Sequence, residues 1–421
     1  RQKTLASKVQ DGSAYDVVIL GGDPSGVAAA KSAADKGAKV LLLSESSLFG
    51  GAIANGLSAT DLGSVAANVG LSKKYLQELV AYYHTNEYRS EPKVAECIFE
   101  SWLDSDNISL GINTMLDSAK VSNGLIQNLT FHTTNSSNKI TVSGKTFVDA
   151  SYAGDLMYLS GVKTRLGMAD FYSYGEKLTE ARAYSRLFRL TDPELIQQAQ
   201  IDFAKLPQVV IRDNLDNYRK DILQGMPSFT YRLCLTRDKS NQIPFSKMPG
   251  YETYAPAWRT FMLNYFGYDI EKDPVIRGNG TLRTQLWTLA VIPNNKYDLN
   301  SSYTNFTNMP MTRDYFTHLD QRPAILEKYS NYLKSFLYFL QNDDSVPPLE
   351  KEGLSGFGLC ADEFTSTQGW PEQPYLREGR RLIGQTTITA RDLIVNRQKP
   401  DAIAAGSYGM DSKPAIFTYA N

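Results

Sequence analysis

The stretch YDVVILGGDPSGVAAAKSAADKGAKVLLLSESSLFGG, Tyr15 to Gly51, decides the fold. Asp16 to Leu20 is an apolar strand that ends at the Gly21–Gly22 turn. Ser25 to Lys36 is an alanine-rich helical segment closed by Gly37, the residue type that best tolerates a left-handed C-terminal cap. Lys39 to Leu43 is a second apolar strand. Strand, helix and strand within about 30 residues make a βαβ unit. The turn between the first strand and the helix has one residue out of place. In the G-x-G-x-x-G fingerprint, the first glycine allows the tight turn and the third lets helix pack closely on strand. The second lets the backbone approach a pyrophosphate with no side chain between them. Gly21 and Gly26 hold the first and third positions, and Asp23 holds the second. A carboxylate there faces an anion unless it turns outward or works through a water or cation. The βαβ context favours a dinucleotide site, present or ancestral, over a plain strand–helix turn.

An acid at the end of the second strand usually holds the ribose hydroxyls. Ser44 stands at that place and Glu45 follows it. Because this is the strand exit, either can be turned toward a ribose, and Glu45 can equally be an ordinary exposed residue.

Farther along, Leu71 to His84 reads as an amphipathic helix. Ala119 to Val142 alternates apolar and polar residues around Asn/Gly/Ser turns, the pattern of an antiparallel meander. KTFVDASYAGD then returns as a buried strand with a small-residue turn. From about Lys177 to Gly369 aromatic residues and Pro become frequent and the βαβ rhythm stops. Ile325 to Gln341 has helical spacing, and the stretch as a whole reads as an irregular and helical insertion. YLREGRRLIGQTTITARDL, from Tyr375, is expected to be another helix. The expected organisation is 14–176 for the first part of a nucleotide domain, 177–369 for an inserted substrate or cap domain, and 370–421 for the return.

Bulk properties exclude several function classes. A chain of 421 residues with a net charge of -1 gives no electrostatic reason to expect nucleic acid. No apolar run has the length of a membrane span. Cys97, Cys234 and Cys360, like the three histidines, are scattered, so neither a metal site nor a disulfide framework is indicated. No G-x-S-x-G elbow is present. Six N-x-S/T sequons, at Asn107, Asn128, Asn135, Asn279, Asn300 and Asn305, hint at a secreted or cell-surface glycoprotein, with a cytoplasmic protein as the alternative.

Four segments in order carry a resemblance: LFGGAIANGLSATDLG from Leu48, FVDASYAGDLMYLSGV from Phe147, YRLCLTRDKSNQIPFSKMPGY from Tyr231, and GWPEQPYLREGRRLIG from Gly369. Together they resemble the FAD-dependent oxidoreductase family with its GG-x4-GL-x2-TD loop, DA-T/S-Y-x-GDL turn and Y-x-RE-x-RR helix. The resemblance runs from about Tyr15 to Lys413. It implies an α/β fold: a doubly wound, Rossmann-like FAD/NAD(P)-binding domain of the glutathione-reductase type, with a β-meander and an inserted second domain. It also implies FAD as cofactor. Gly21, Gly22 and Gly26 would face the pyrophosphate, with Asp23 beside them. Glu45 or Ser44 would face the adenosine ribose, and Gly50 and Gly51 the ribityl chain or flavin. Ser151 would lie in the turn that closes the nucleotide domain, and Asp155 near the flavin, unless Asp155 only caps the next helix.

On one helical face, Arg377, Arg380 and Arg381 would clamp an anionic substrate. The alternative is surface pairing with Glu372 or Glu378. GSYGMDSK, from Gly406, resembles a family segment that commonly reads D-S-H, with Lys413 in place of the histidine. As a proton acceptor, Lys413 needs desolvation to lower its pKa. The implied activity is hydride transfer from a small organic substrate to flavin. The alternative is a pseudoenzyme of the same fold with a structural or interaction role and no FAD. The family continues past this segment into a strand and a last helix, whereas this chain ends at Asn421. Either a second polypeptide supplies that element or it is missing and function is impaired.

Overall fold

A computed structural model of the chain describes residues 9–166, 229–266, 287–301, 309–377, 379–388 and 400–407, the short strands 183–187, 209–212, 275–276, 282–283 and 416–420, and residues 197 and 392. Two compact units emerge. The first comprises Arg1–Arg165, Pro371–Thr387 and Ala405–Tyr408. The second comprises Leu166–Trp370, Ile388–Ala404 and Gly409–Asn421.

The first unit opens with β1 (Ala14–Leu20), α1 (Pro24–Ala34) and β2 (Val40–Leu43). A short α2 (Gly51–Ala54), α3 (Gly70–Tyr83), α4 (Pro92–Trp102) and β3 (Ile108–Gly111) follow. Next come β4 (Thr114–Ser122), β5 (Leu125–Thr133), β6 (Ile140–Asp149), α5 (Asp155–Leu159) and β7 (Thr164–Arg165). The first six strands form one sheet in the order β3-β2-β1-β6-β5-β4. The four strands from β3 to β6 in that order run parallel, and β5 and β4 continue antiparallel.

Alternation along the parallel strands covers both faces, as a doubly wound sheet requires. Ile19, Val40, Leu42 and Leu110 pack with Val27 and Ala30 of α1, Leu79 of α3 and Phe99 of α4. Val18, Leu20, Leu41 and Leu43 pack with Leu129, Phe131 and Val142 of the meander and Leu156 of α5. Asn123 and Gly124, at φ 51° and 76°, make the two-residue β4–β5 turn. Asn-Gly suits this left-handed pair, which matches the strand twist.

Two sequence expectations change here. The meander's last strand and the KTFVDA strand are one strand, β6. It pairs with β5 from Ile140 to Ser143 and with β1 from Ser143 to Asp149. The segment from Tyr375 to Ile388 is not helical among the described residues. Instead β17 (Arg381–Leu382) forms a ladder with β7. Two glycines, Gly379 and Gly384, weaken the helix there. A Cβ on Gly379 would overlap the Tyr152 carbonyl oxygen, so the backbone presses against that turn and cannot coil.

In the second unit, β8 (Ala183–Leu187) and β9 (Val209–Arg212) flank β18 (Ile416–Ala420) in a parallel trio. Seven short antiparallel strands form its larger sheet. They are β10 (Leu233–Thr236), β11 (Gln242–Ile243), β12 (Val275–Ile276), β13 (Leu282–Arg283), β14 (Trp287–Ile292), β15 (Lys296–Ser301) and β16 (Gly358–Cys360). The sequence reading of this stretch as irregular and helical therefore missed a sheet, because four of these seven strands have only two or three residues, too few to show a period of two. Among the described residues the unit's helices include α6 (Tyr251–Phe266), α7 (Met309–Thr317), α8 (Arg322–Asn342) and α9 (Pro348–Leu354).

The expected helix at 325–341 lies inside α8. Its Tyr329, Tyr332, Phe336 and Phe339 recur at three- and four-residue spacing and are fully buried. Trp258 of α6 packs on Tyr332, Phe336 and Phe339 and donates its indole N–H to the Tyr332 hydroxyl. Among the described residues, no helix is long and apolar enough to cross a membrane.

Candidate FAD site

Three turns meet at the C-terminal ends of β1, β2 and β6. Since β1 has β2 on one side and β6 on the other, this is the switch point where open α/β sheets bind ligands. Backbone bonds lock the turns together. Gly21 N–H donates to Leu43 O, Ala150 N–H to Leu20 O, and Gly50 N–H to Gly22 O, each at 2.8 Å.

The glycines are dictated by these contacts. At Gly21, φ is 113° and a Cβ would stand 2.6 Å from Ser151 N. A Cβ on Gly26 would overlap the Gly21 carbonyl oxygen, and one on Gly22 would meet Ser44 Oγ at 2.5 Å. Gly50 and Gly51 both have positive φ, at 111° and 53°, and stand against Phe99 and Asp23 respectively.

Asp23 does not turn outward. It is only 5% exposed and forms the N-cap of α1, but its side chain makes no cap bond to the helix. One carboxylate oxygen accepts the Tyr152 N–H at 3.2 Å. Tyr152 in turn accepts the Ala52 N–H on its hydroxyl at 3.3 Å. Burial first, and then the charges of Glu45 and Asp149, push the Asp23 carboxyl up to about 8, against the lowering effect of the Tyr152 N–H. At neutral pH the residue is therefore mostly a neutral acid, and the expected clash with a pyrophosphate is relieved.

At the β2 exit, Ser44 is buried. Its Oγ accepts the Ser46 N–H and its carbonyl accepts the Thr114 N–H and hydroxyl. Glu45 is half-buried, and its charge acts on Asp23. The following turn is tied by Glu372, which accepts from Ser46 Oγ, Ser47 N and Ser47 Oγ at 2.7–2.9 Å. The sequence reading considered Glu372 only as an alternative surface partner of the arginines. A contact spanning 326 residues leaves no local signal.

At the β6 exit, Asp149 accepts from Ser151 N and Oγ and from Met157 N, while Ser151 Oγ accepts the Gly154 N–H. Asp149 thus fastens the turn to α5, a role readable from the Asx-turn habit of D-x-S but not assigned from the sequence. Asp155 is 1% exposed and pairs with Arg380 at 2.7 Å; Arg380 also donates to Ala153 O and lies over the Tyr158 ring. Arg377 lies by the Tyr375 ring, and Arg381 is in β17. The three arginines therefore do not share a helical face. Lys413 lies outside the described residues.

Removing one partner of a buried ion pair strands the other charge. Arg380→Met is expected to destabilise the first unit by about 3–5 kcal/mol. Urea unfolding followed in that variant, and in Arg380→Met/Asp155→Leu, checks this. The double variant should recover most of the loss, and equal stability of wild type and single variant would contradict the pairing.

Parallel strands, a glycine turn at a helix N-terminus and a small-residue cradle at the switch point define a Rossmann-like nucleotide-binding protein. The chain belongs to the FAD dependent oxidoreductase family, whose model matches residues 16–418, and its cofactor is FAD. The residues fit that group. Glycine backbone lines the turn, the Asp23 side chain makes no cap bond to the first-turn amides of α1, and Asp23 can be neutral there.

No curated protein matches the chain in sequence. Among solved structures, flavin-dependent brominase Bmp2 is 15% identical over 38% of this chain and 44% of its own, with a TM-score of 0.30. Thermovibrio ammonificans THI4 is 16% identical over 47% and 74%, with a TM-score of 0.27. The chain spans about a third of Mycobacterium smegmatis Sdh1, 35% of that chain, at a TM-score of 0.27 and 11% identity over 34% of this one. Likenesses this partial carry no weight beside the family match.

Proposed function

We propose that this protein oxidises a small organic substrate by hydride transfer to FAD held at the C-terminal edge of the six-stranded sheet. The cradle of Gly21, Gly22 and Gly26 beneath the α1 N-terminus carries the reading. In it, Gly21, Gly22 and Gly26 hold the diphosphate, and Asp23 stays protonated beside it. Glu45, half-buried at the strand exit, takes the ribose hydroxyls, whereas Ser44 is buried beneath the turn. Gly50 and Gly51 admit the ribityl chain close to the backbone, and Ser151 keeps the third turn in shape through Asp149. Bound FAD supplies an acceptor for a hydride from a substrate C–H bond. Asp155 and Arg380 act as a positioning pair that fixes the turn after β6. Arg377 and Arg381 orient an anionic substrate, and Lys413 takes the substrate proton. The protein is secreted or on the cell surface, a reading supported by exposed sequon residues Asn135 and Asn300.

A second reading, a pseudoenzyme without flavin, draws on Asp23 at the second glycine position. Flavin absorbance of the purified full chain separates them. Near-stoichiometric FAD released on denaturation supports the first. A colourless, folded protein that takes up no added FAD supports the second.

A further inference from the structure

Cys234 lies on β10 and Cys360 on β16, neighbours in the second unit's antiparallel sheet. Their register pairs Leu235 with Leu359 and Thr236 with Gly358. One step farther, Cys234 stands opposite Cys360. Directly opposed residues of antiparallel strands share a face, with Cα atoms about 4.5–5.5 Å apart, inside the span a disulfide bridges. The two sulfurs lie 2.8 Å apart, and both residues are fully buried. The third cysteine, Cys97, is exposed on α4 of the other unit. Two small apolar thiols side by side in a core would be a bland alternative. Against it, the sulfurs sit closer than two nonbonded sulfur atoms rest, on strands whose register already sets the bridging distance.

We propose that Cys234 and Cys360 are joined by a disulfide in the mature protein. It closes a loop whose ends are 126 positions apart and which contains helices α6 to α9. The oxidant is a small-molecule or protein disulfide. One cysteine thiolate attacks it, forming a mixed disulfide and releasing one thiolate. The second cysteine thiolate attacks the protein sulfur of that bond, forming Sγ–Sγ and releasing the other thiolate. The cysteines lose two electrons and two protons, and the oxidant is reduced to two thiols. Burial raises the Cys234 thiol pKa in the folded sheet, and no oxidant reaches it there. Closure therefore precedes completion of the sheet, and the finished bond is shielded from reductants. Chain folding must then take place in an oxidising compartment.

The test uses the full chain, secreted from a eukaryotic host and purified without reductant, then denatured in iodoacetamide. One alkylated cysteine, Cys97, is expected, with a digest fragment that links Cys234 to Cys360 and separates on reduction. Three alkylated cysteines, or a bridge that includes Cys97, would overturn the proposal. As a second measurement, protein denatured and refolded in dithiothreitol should melt several degrees below the untreated protein, because the buried bond can be reduced only once the sheet is opened. Cys234→Ser/Cys360→Ser should melt at the reduced protein's midpoint and ignore dithiothreitol. A wild type that melts at the same midpoint before and after refolding in dithiothreitol would also sink the idea. Should the double variant fail to fold, the alkylation count on the native chain still decides.

Discussion

Gly26→Val is expected to yield a protein that retains no FAD. The third glycine of the turn has no room for any side chain, because a Cβ would overlap the Gly21 carbonyl oxygen and crowd the Ala150 methyl. A branched side chain must push α1 off β1, and this moves the helix N-terminus that faces the diphosphate. The hydrophobic contacts of Val27 and Ala30 on the sheet lie on the same helix, so a loss of stability is expected alongside. The informative comparison is therefore Gly26→Ala, with the smallest possible side chain, measured for flavin content in protein whose far-ultraviolet circular dichroism matches wild type. FAD bound at wild-type level in either folded variant would show that the helix N-terminus is not the diphosphate site.

FAD affinity should be flat below about pH 8 and weaken above it, and Asp23→Asn should abolish that dependence. The sign follows from the raised carboxyl. While Asp23 is protonated it presents no charge to the diphosphate, and above about 8 it ionises beside it. Like charges ~5 Å apart at an effective dielectric near 20 repel by roughly 3 kcal/mol, so the loss is bounded at about a hundredfold. Within that bound the dissociation constant rises about tenfold per pH unit. In the flavin-free protein the same group makes stability fall as pH rises from the ordinary carboxylate range through about 8, because the folded state then holds a proton the unfolded chain has released. Asp23→Asn should remove this slope as well. Fluorescence titration of FAD into both proteins at pH 7 and pH 9 decides the matter. A wild-type constant that is equal at both values would mean the carboxylate is screened from the diphosphate.

The βαβ unit was legible because its signals are local: apolar runs, a glycine turn and a glycine cap within a few turns of chain. Glycines 21 and 26 were legible for the same reason. The single strand β6 was not, because nothing in the sequence near Ser143 marks its change of partner from β5 to β1. The helix expected from Tyr375 failed because arginines at helical spacing outweighed Gly379 and Gly384. The backbone there is set by Tyr152 and by pairing with β7, both more than 200 positions away. The buried, protonated state of Asp23 was equally invisible. It arises from burial against the Gly51 turn and from the charges of Glu45 and Asp149, brought together only by the meeting of three turns.

The ion pair of Asp155 and Arg380 also sets a timetable. Its partners are 225 positions apart, and the Glu372 brace to Ser46 spans 326. On the ribosome, at about 5–20 residues per second, Asp155 emerges roughly 10–45 s before Arg380 exists. The nucleotide-binding unit is thus begun long before it can be finished. In that interval the turn after β6 must stay open to water, because its carboxylate has no arginine to enter the core with. A nascent chain stalled in this window would carry the Asp155 carboxylate without its partner until the return segment arrives.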